Sequence, residues 1–289
     1  MVFIQIMQKS GGVMLINKIF IRFICAVFFL PILAGCQTAS RSLSDGGAGD
    51  IEFESQGGTT LYGTVTLPQK GAGPFPAMVL MHGTGGRGYR QSSWAEFFAD
   101  NGIATLNVDY FSGRGYGGHG SPPGDYYDVV DAMKVLAGHP KVDKNRIGVM
   151  GWSNGAEIAL ESAVIDENKG DGLTLKAHVV FYPPCELTSV PFFGPNHPIA
   201  VFVGSNDYLT KVWQCEQMVE KAVKRDHKDV RLIVYEGAHH GWDGNEHIDT
   251  YDHRSRHVKL VPDAAITAKS RRDVMEFLKR TPLLAGESS

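Results

Sequence analysis

Short apolar runs at regular intervals constrain this chain more than any other feature. Ala77 to Met81 (AMVLM) is continuously apolar and of strand length, and Arg146 to Gly151 (RIGVMG) is nearly so. Such runs mark strands buried on both faces. Ile103 to Val108, His178 to Tyr182, Ile199 to Val203 and Val230 to Tyr235 read as further strands. Helical segments fall between them: Ser93 to Asp100, Asp125 to Leu136 (Tyr127, Val130, Met133, Val135), Ala156 to Val164 and Val212 to Lys224, with Ala264 to Lys279 closing the chain. Strands alternating with helices predict an α/β fold with a mostly parallel sheet covered on both faces. Ile51 to Ser55 and Thr59 to Leu67 alternate in polarity instead, as an antiparallel pair at a sheet edge does. Loops gather after the strand ends, where open α/β sheets place their ligands.

The 289 residues are 43% hydrophobic and 20% charged, which excludes a disordered or fibrous chain. One domain over residues 51–282 accommodates the pattern. A net charge of −3 without blocks of like charge gives no footprint for a nucleic acid partner. The first 35 residues read differently. Lys18 and Arg22 precede an apolar run from Phe23 to Gly35, 13 residues against the roughly 20 a membrane span needs. A basic flank, a short apolar stretch and small residues at its end predict a secretory signal over residues 1–35; an anchor helix is the alternative. Met14 stands just before that flank, so translation starts at Met1 or at Met14. Leu33-Ala34-Gly35-Cys36 resembles the lipobox of bacterial lipoproteins. The resemblance implies cleavage before Cys36, acylation of Cys36, and attachment to a membrane surface. Gln37 at the next position implies the outer membrane, facing the periplasm. Residues 36–50, ending in the polar stretch RSLSDGGAGD, then form a flexible tether. Of four cysteines, Cys25 leaves with the signal and Cys36 carries lipid. Cys185 and Cys215 remain as one disulfide, permitted in an exported chain, or as two buried thiols.

After the strand ending at Gly151 comes Gly151-Trp152-Ser153-Asn154-Gly155, and then a helix-forming segment. This is G-x-S-x-G in the strand–turn–helix context of a nucleophile elbow, which makes Ser153 the candidate nucleophile. The glycines leave room for a strained turn. The helix that follows points its N-terminal amides at developing negative charge.

Val142-Asp143 and Arg146-Ile147-Gly148-Val149, leading into this elbow, resemble the dienelactone hydrolase family of the α/β-hydrolase superfamily, from about Gly63 to Lys279. Tyr235-Glu236-Gly237-Ala238-His239-His240 is similar to that family's Tyr-x-Gly-Ala-x-His block, which implies His240 as general base, with His239 its neighbouring alternative. A histidine both takes and returns a proton near neutral pH. Asp207, just past the strand Ile199 to Val203, is the expected acid, completing the order Ser, Asp, His. Asp243 lies too close in sequence to His240 for that part, and Asp226 sits in a solvated basic stretch. His82-Gly83-Thr84-Gly85-Gly86 resembles the HGGG-type loop, so the oxyanion donors are expected to be the N–H groups of Thr84 (or Gly85) and Asn154. His82 then braces the loop.

Two departures bear on substrate. Dienelactone hydrolases carry a cysteine nucleophile and a glutamate near the oxyanion loop; this chain has Ser153 and no glutamate between His82 and Arg90. A small or medium carboxylic ester is therefore expected, cleaved without a cofactor. The Gly-rich, aromatic stretch Phe111 to Tyr127 is a candidate lid bringing Arg114, Tyr116 or His119 to the substrate, or a surface loop. His239, His240, Asp243, His247, His253 and His257 invite a metal reading, with His253 and His257 spaced for one helix face, but H-E-x-x-H is absent and no metal site is expected. A non-catalytic binding module and a small peptidase are the remaining alternatives.

Overall fold

The computed structural model describes residues 46–117, 123–164, 170–186, 197–227, 229–252 and 255–285. The predicted signal, Cys25, Cys36 and most of the tether lie outside them. An eight-stranded sheet forms the centre, in the order β1-β2-β4-β3-β5-β6-β7-β8. β1 (Gly49–Glu54) and β2 (Thr60–Thr66) are the antiparallel pair expected at the edge. β3 (Phe75–Met81), β4 (Ala104–Asp109), β5 (Val142–Trp152), β6 (His178–Phe181), β7 (Ile199–Gly204) and β8 (Val230–Tyr235) run parallel.

Alternation along these strands sends successive side chains to opposite faces. Ala77, Val79 and Met81 join an aliphatic cluster with α2 (Tyr126–Ala137), α3 (Asn154–Glu161) and α4 (Val212–Lys224). Met78 and Leu80 join an aromatic cluster that holds Trp94, Trp152, Phe181, Tyr182, Phe202 and Trp242, with α1 (Tyr89–Asp100) and α5 (Ala264–Leu278). Each helix follows its apolar spacing: Gln91, Trp94, Ala95 and Phe98 are the buried stripe of α1. That helix begins at Tyr89, ahead of the expected Ser93, because its first turn is polar and carries no apolar signal. Capping fixes other starts, as where Asp263 Oδ1 accepts the Ile266 N–H at 2.8 Å.

Two further strands, β9 (Ile248–Tyr251) and β10 (His257–Leu260), pair as an antiparallel hairpin that no alternation in the sequence predicts. His257 thus stands on a strand rather than a helix face, and His253 lies outside the described residues. Cys185 and Cys215 are joined by a disulfide, with Cα atoms 5.0 Å apart, which ties the segment after β6 to α4.

Candidate active site

The C-terminal ends of β3, β5, β7 and β8 converge on one edge of the sheet. Ser153 sits between β5 and α3 at φ 52°, ψ −117°, a region that a residue with a side chain occupies at a cost. Close packing explains the flanking glycines. A Cβ on Gly151 would overlap the Gly155 carbonyl, and one on Gly155 would overlap the carbonyls of Met81 and His82. The Ser153 N–H donates to the Phe181 carbonyl at 3.0 Å, and its own carbonyl accepts from Ala156 (2.9 Å) and Glu157 (3.1 Å) as α3 begins. Asn154 is the first residue of that helix, so its N–H has no intrahelical acceptor.

The loop after β3 runs beside this elbow. A Cβ on Gly83 would stand 3.1 Å from the Trp152 oxygen and 3.4 Å from Ser153 Cβ. Gly86 N–H donates to the Gly83 carbonyl at 3.1 Å, closing a turn whose exposed corner is Thr84 and Gly85. His82 is fully buried and stacks on Tyr110 at 4.1 Å. Tyr110 bridges the two segments: its hydroxyl donates to the His82 carbonyl at 2.5 Å and accepts from Asn154 Nδ2 at 3.1 Å. Burial raises the Tyr110 phenol far above its ordinary value, so it remains a neutral donor. Asp109, at the end of β4, is held well below the usual carboxylate range by the neighbouring His82 ring, the Ser112 hydroxyl, and the amides of Ser112 and Phe111.

The turns after β7 and β8 interlock. Asn206 N–H donates to the Ala238 carbonyl at 2.9 Å, Gly237 N–H donates to Ser205 Oγ at 2.8 Å, and a Cβ on Gly204 would overlap the Ala238 carbonyl. Asp207, 4% exposed, accepts the Leu209 and Thr210 amides on Oδ1 at 2.7 and 2.8 Å. Its Oδ2 lies 2.7 Å from His240 Nδ1. An ionised carboxylate only accepts, so that proton sits on Nδ1 and Nε2 carries the free lone pair. The His240 ring packs 4.3 Å from the Tyr182 ring, whose residue directly follows Phe181, the acceptor of the Ser153 amide. His239 turns away and faces Tyr208 at 6.0 Å.

The other expected residues fall elsewhere. Asp226 is exposed beyond α4. Arg114 is committed to a bidentate pair with buried Asp128 (2.8 and 3.0 Å), and Tyr116 packs on Phe111 at 4.5 Å, so both brace the segment after β4. His119 lies outside the described residues. Among the described residues no three His, Cys, Asp or Glu side chains gather as metal ligands.

Asp243 was set aside from sequence, and the structure gives it a different place. Its carboxylate, 3% exposed, accepts four side-chain donors: Trp94 Nε1 (2.8 Å) and Trp152 Nε1 (2.7 Å) on Oδ2, Tyr182 Oη (2.6 Å) and Arg90 Nε (3.0 Å) on Oδ1. No local pattern announces this set. The one sequence signal is Trp152 next to the candidate nucleophile, whose N–H needs an acceptor when buried.

The family model of the dienelactone hydrolase family matches residues 124–281, and that of FrsA-like esterases matches residues 37–190. Curated relatives include esterase FrsA of Serratia proteamaculans, 26% identical over 145 residues, and of an Enterobacter species, 29% identical over 147. These alignments cover 48% and 49% of this chain but 34% and 35% of the relatives, so the chain spans about a third of their length. Among solved structures, a putative dienelactone hydrolase from Klebsiella pneumoniae superposes with a TM-score of 0.60 at 16% identity, covering 81% of this chain and 99% of that one. An esterase from Pyrococcus furiosus gives 0.60 at 18% identity, covering 83% and 96%. At these identities the structures establish the α/β-hydrolase fold.

Proposed function

The chain belongs to the dienelactone hydrolase family, and from that premise we propose that it hydrolyses small or medium carboxylic esters through an acyl-enzyme on Ser153. The observation that carries the reading is the 2.7 Å contact of His240 with Asp207 at the sheet edge where the Ser153 elbow emerges. His240 Nε2 takes the hydroxyl proton as Ser153 Oγ attacks the ester carbon. The tetrahedral oxyanion is stabilised by the N–H groups of Asn154 and Thr84, each such donor contributing about 3 kcal/mol in comparable sites. The imidazolium, steadied by Asp207, returns its proton to the departing alcohol. Water then attacks the acyl carbon and gives a proton to His240, which passes it to Ser153 Oγ as the acid leaves.

A serine nucleophile and the missing glutamate in the oxyanion loop favour general esters over dienelactone itself. We further propose export and lipidation at Cys36, holding the domain at the outer membrane. The Leu-Ala-Gly-Cys segment supports this, as does a Cys185–Cys215 bridge, which suits an oxidising compartment. The esterase reading is tested by turnover of p-nitrophenyl acetate and butyrate. Ser153→Ala should lower kcat about 10⁶-fold with the fold intact; a variant as active as the parent would refute it. Lipidation is tested by incorporation of labelled palmitate, which Cys36→Ser should abolish.

A further inference from the structure

We propose that Asp243 is a positioning residue of the hydrolytic site, its buried carboxylate binding Trp152 beside the nucleophile and Tyr182 against the base into one unit. The inference rests on the reading of Ser153 and His240 given above. Trp152 immediately precedes Ser153, and Asp243 follows His240 by three residues. Through Oδ2 the carboxylate fixes the indole of Trp152, and through Oδ1 the hydroxyl of Tyr182. It therefore joins the strand that delivers the nucleophile, the ring that supports the base, and the turn that carries the base.

Tyr182 is the link under most tension. It holds φ at 43°, a left-handed conformation that bulky residues seldom adopt unless their surroundings over-determine it. Three hydrogen bonds do so. The Tyr182 N–H donates to the Phe202 carbonyl at 2.7 Å, its carbonyl accepts from Thr210 Oγ1 at 2.9 Å, and its hydroxyl donates to Asp243. Since the Thr210 amide donates to Asp207, one chain of contacts runs from the acid through Tyr182 to Asp243.

Only a carboxylate suits this position. Four donors converge on two oxygens, and an asparagine would turn its NH₂ towards two of them. Arg90 balances the charge and also shapes the turn: a Cβ on Gly241, whose φ is 68°, would come 3.0 Å from Arg90 Nη2, and one on Gly244 would overlap it. Proton transfer between Ser153 and His240 depends on their separation, and a displacement of about 1 Å costs such a step on the order of 100-fold.

The test compares the wild type with Asp243→Asn, Tyr182→Phe and Trp152→Phe on p-nitrophenyl acetate, with active sites counted by a fluorophosphonate burst. The phenylalanines keep a ring and remove one donor each. Asp243→Asn should lower kcat per titrated site about 10- to 100-fold with KM nearly unchanged. Tyr182→Phe and Trp152→Phe should fall between it and the wild type. The Asp243→Asn/Tyr182→Phe double variant should lose less than the product of the single losses, as members of one network do. A residue that only held the fold together would reduce the number of titratable sites and leave kcat per site as it was; that result overturns the proposal. Should Asp243→Asn fail to fold, the two phenylalanine variants decide in the same way. A wild type that neither burst nor turned over would overturn the hydrolase reading and this inference with it. An active wild type beside variants of equal kcat per site would overturn this inference alone.

Discussion

The turns after β7 and β8 each bury a carboxylate near His240, and they assemble it by opposite means. Asp207 is held by its own turn: two amides two and three residues ahead satisfy Oδ1, leaving Oδ2 for the imidazole. Asp243 is held from afar, by side chains at positions 90, 94, 152 and 182 drawn from a helix and two other strand ends. The first arrangement is local and faces the His240 ring. The second is global and meets that ring through Tyr182. Function and rigidity are thus divided between two aspartates 36 positions apart in the sequence numbering.

If that division is right, the two carboxylates respond differently to loss. Asp207→Asn still accepts both amides through Oδ1 but presents an NH₂ to His240, favouring the wrong tautomer. We expect kcat to drop about 10⁴-fold with little change in the unfolding midpoint. Asp243→Ala leaves a guanidinium, two indole N–H groups and a phenol without their acceptor, so urea unfolding should show a loss of roughly 3 kcal/mol or more. Its cost in rate should be the smaller of the two. Equal effects from both variants on both readouts would erase the distinction. Removing the Cys185–Cys215 bridge, which fastens the chain beyond Tyr182 to α4, should lower stability by about 3 kcal/mol and leave kcat per site unchanged.

The smallest effect concerns Asp109, a third carboxylate and another of the locally held kind. Its folded value lies below the unfolded one near 4. Its contribution to stability is therefore present above about pH 4 and is lost as pH falls towards the folded value. Asp109→Asn should lower the neutral plateau of the stability profile slightly and flatten its acid limb, as measured by melting temperature from pH 7 to pH 2.

The same contrast explains what could be read in advance. β3, β6, β7 and the second half of β5 are buried on both faces, so they were legible as apolar runs. The candidates Ser153, His240 and Asp207 stand out because each sits in a short segment with its own signature: a Gly-flanked elbow, a Gly-Ala-x-His turn, a carboxylate just beyond a buried strand. The hairpin of β9 and β10 was not, since its strands are four residues each and mostly half-exposed. Asp243 lies too close in sequence to His240 to be its acid, and it pairs elsewhere; its four donors were not legible because they come from positions that sequence distance hides. The roles suggested for Arg114 and Tyr116 failed similarly, because buried Asp128 and Phe111 claim them.

Ser153 is proposed as the group that His240 and Asp207 activate, and covalent labelling tests this directly. The purified domain from Gln37 onward is incubated with a fluorophosphonate, digested, and the adduct located by tandem mass spectrometry, with His240→Ala treated in parallel. The account predicts one adduct, on Ser153, and almost none in the His240→Ala protein. An adduct on another residue, or equal labelling of Ser153 without His240, would contradict it.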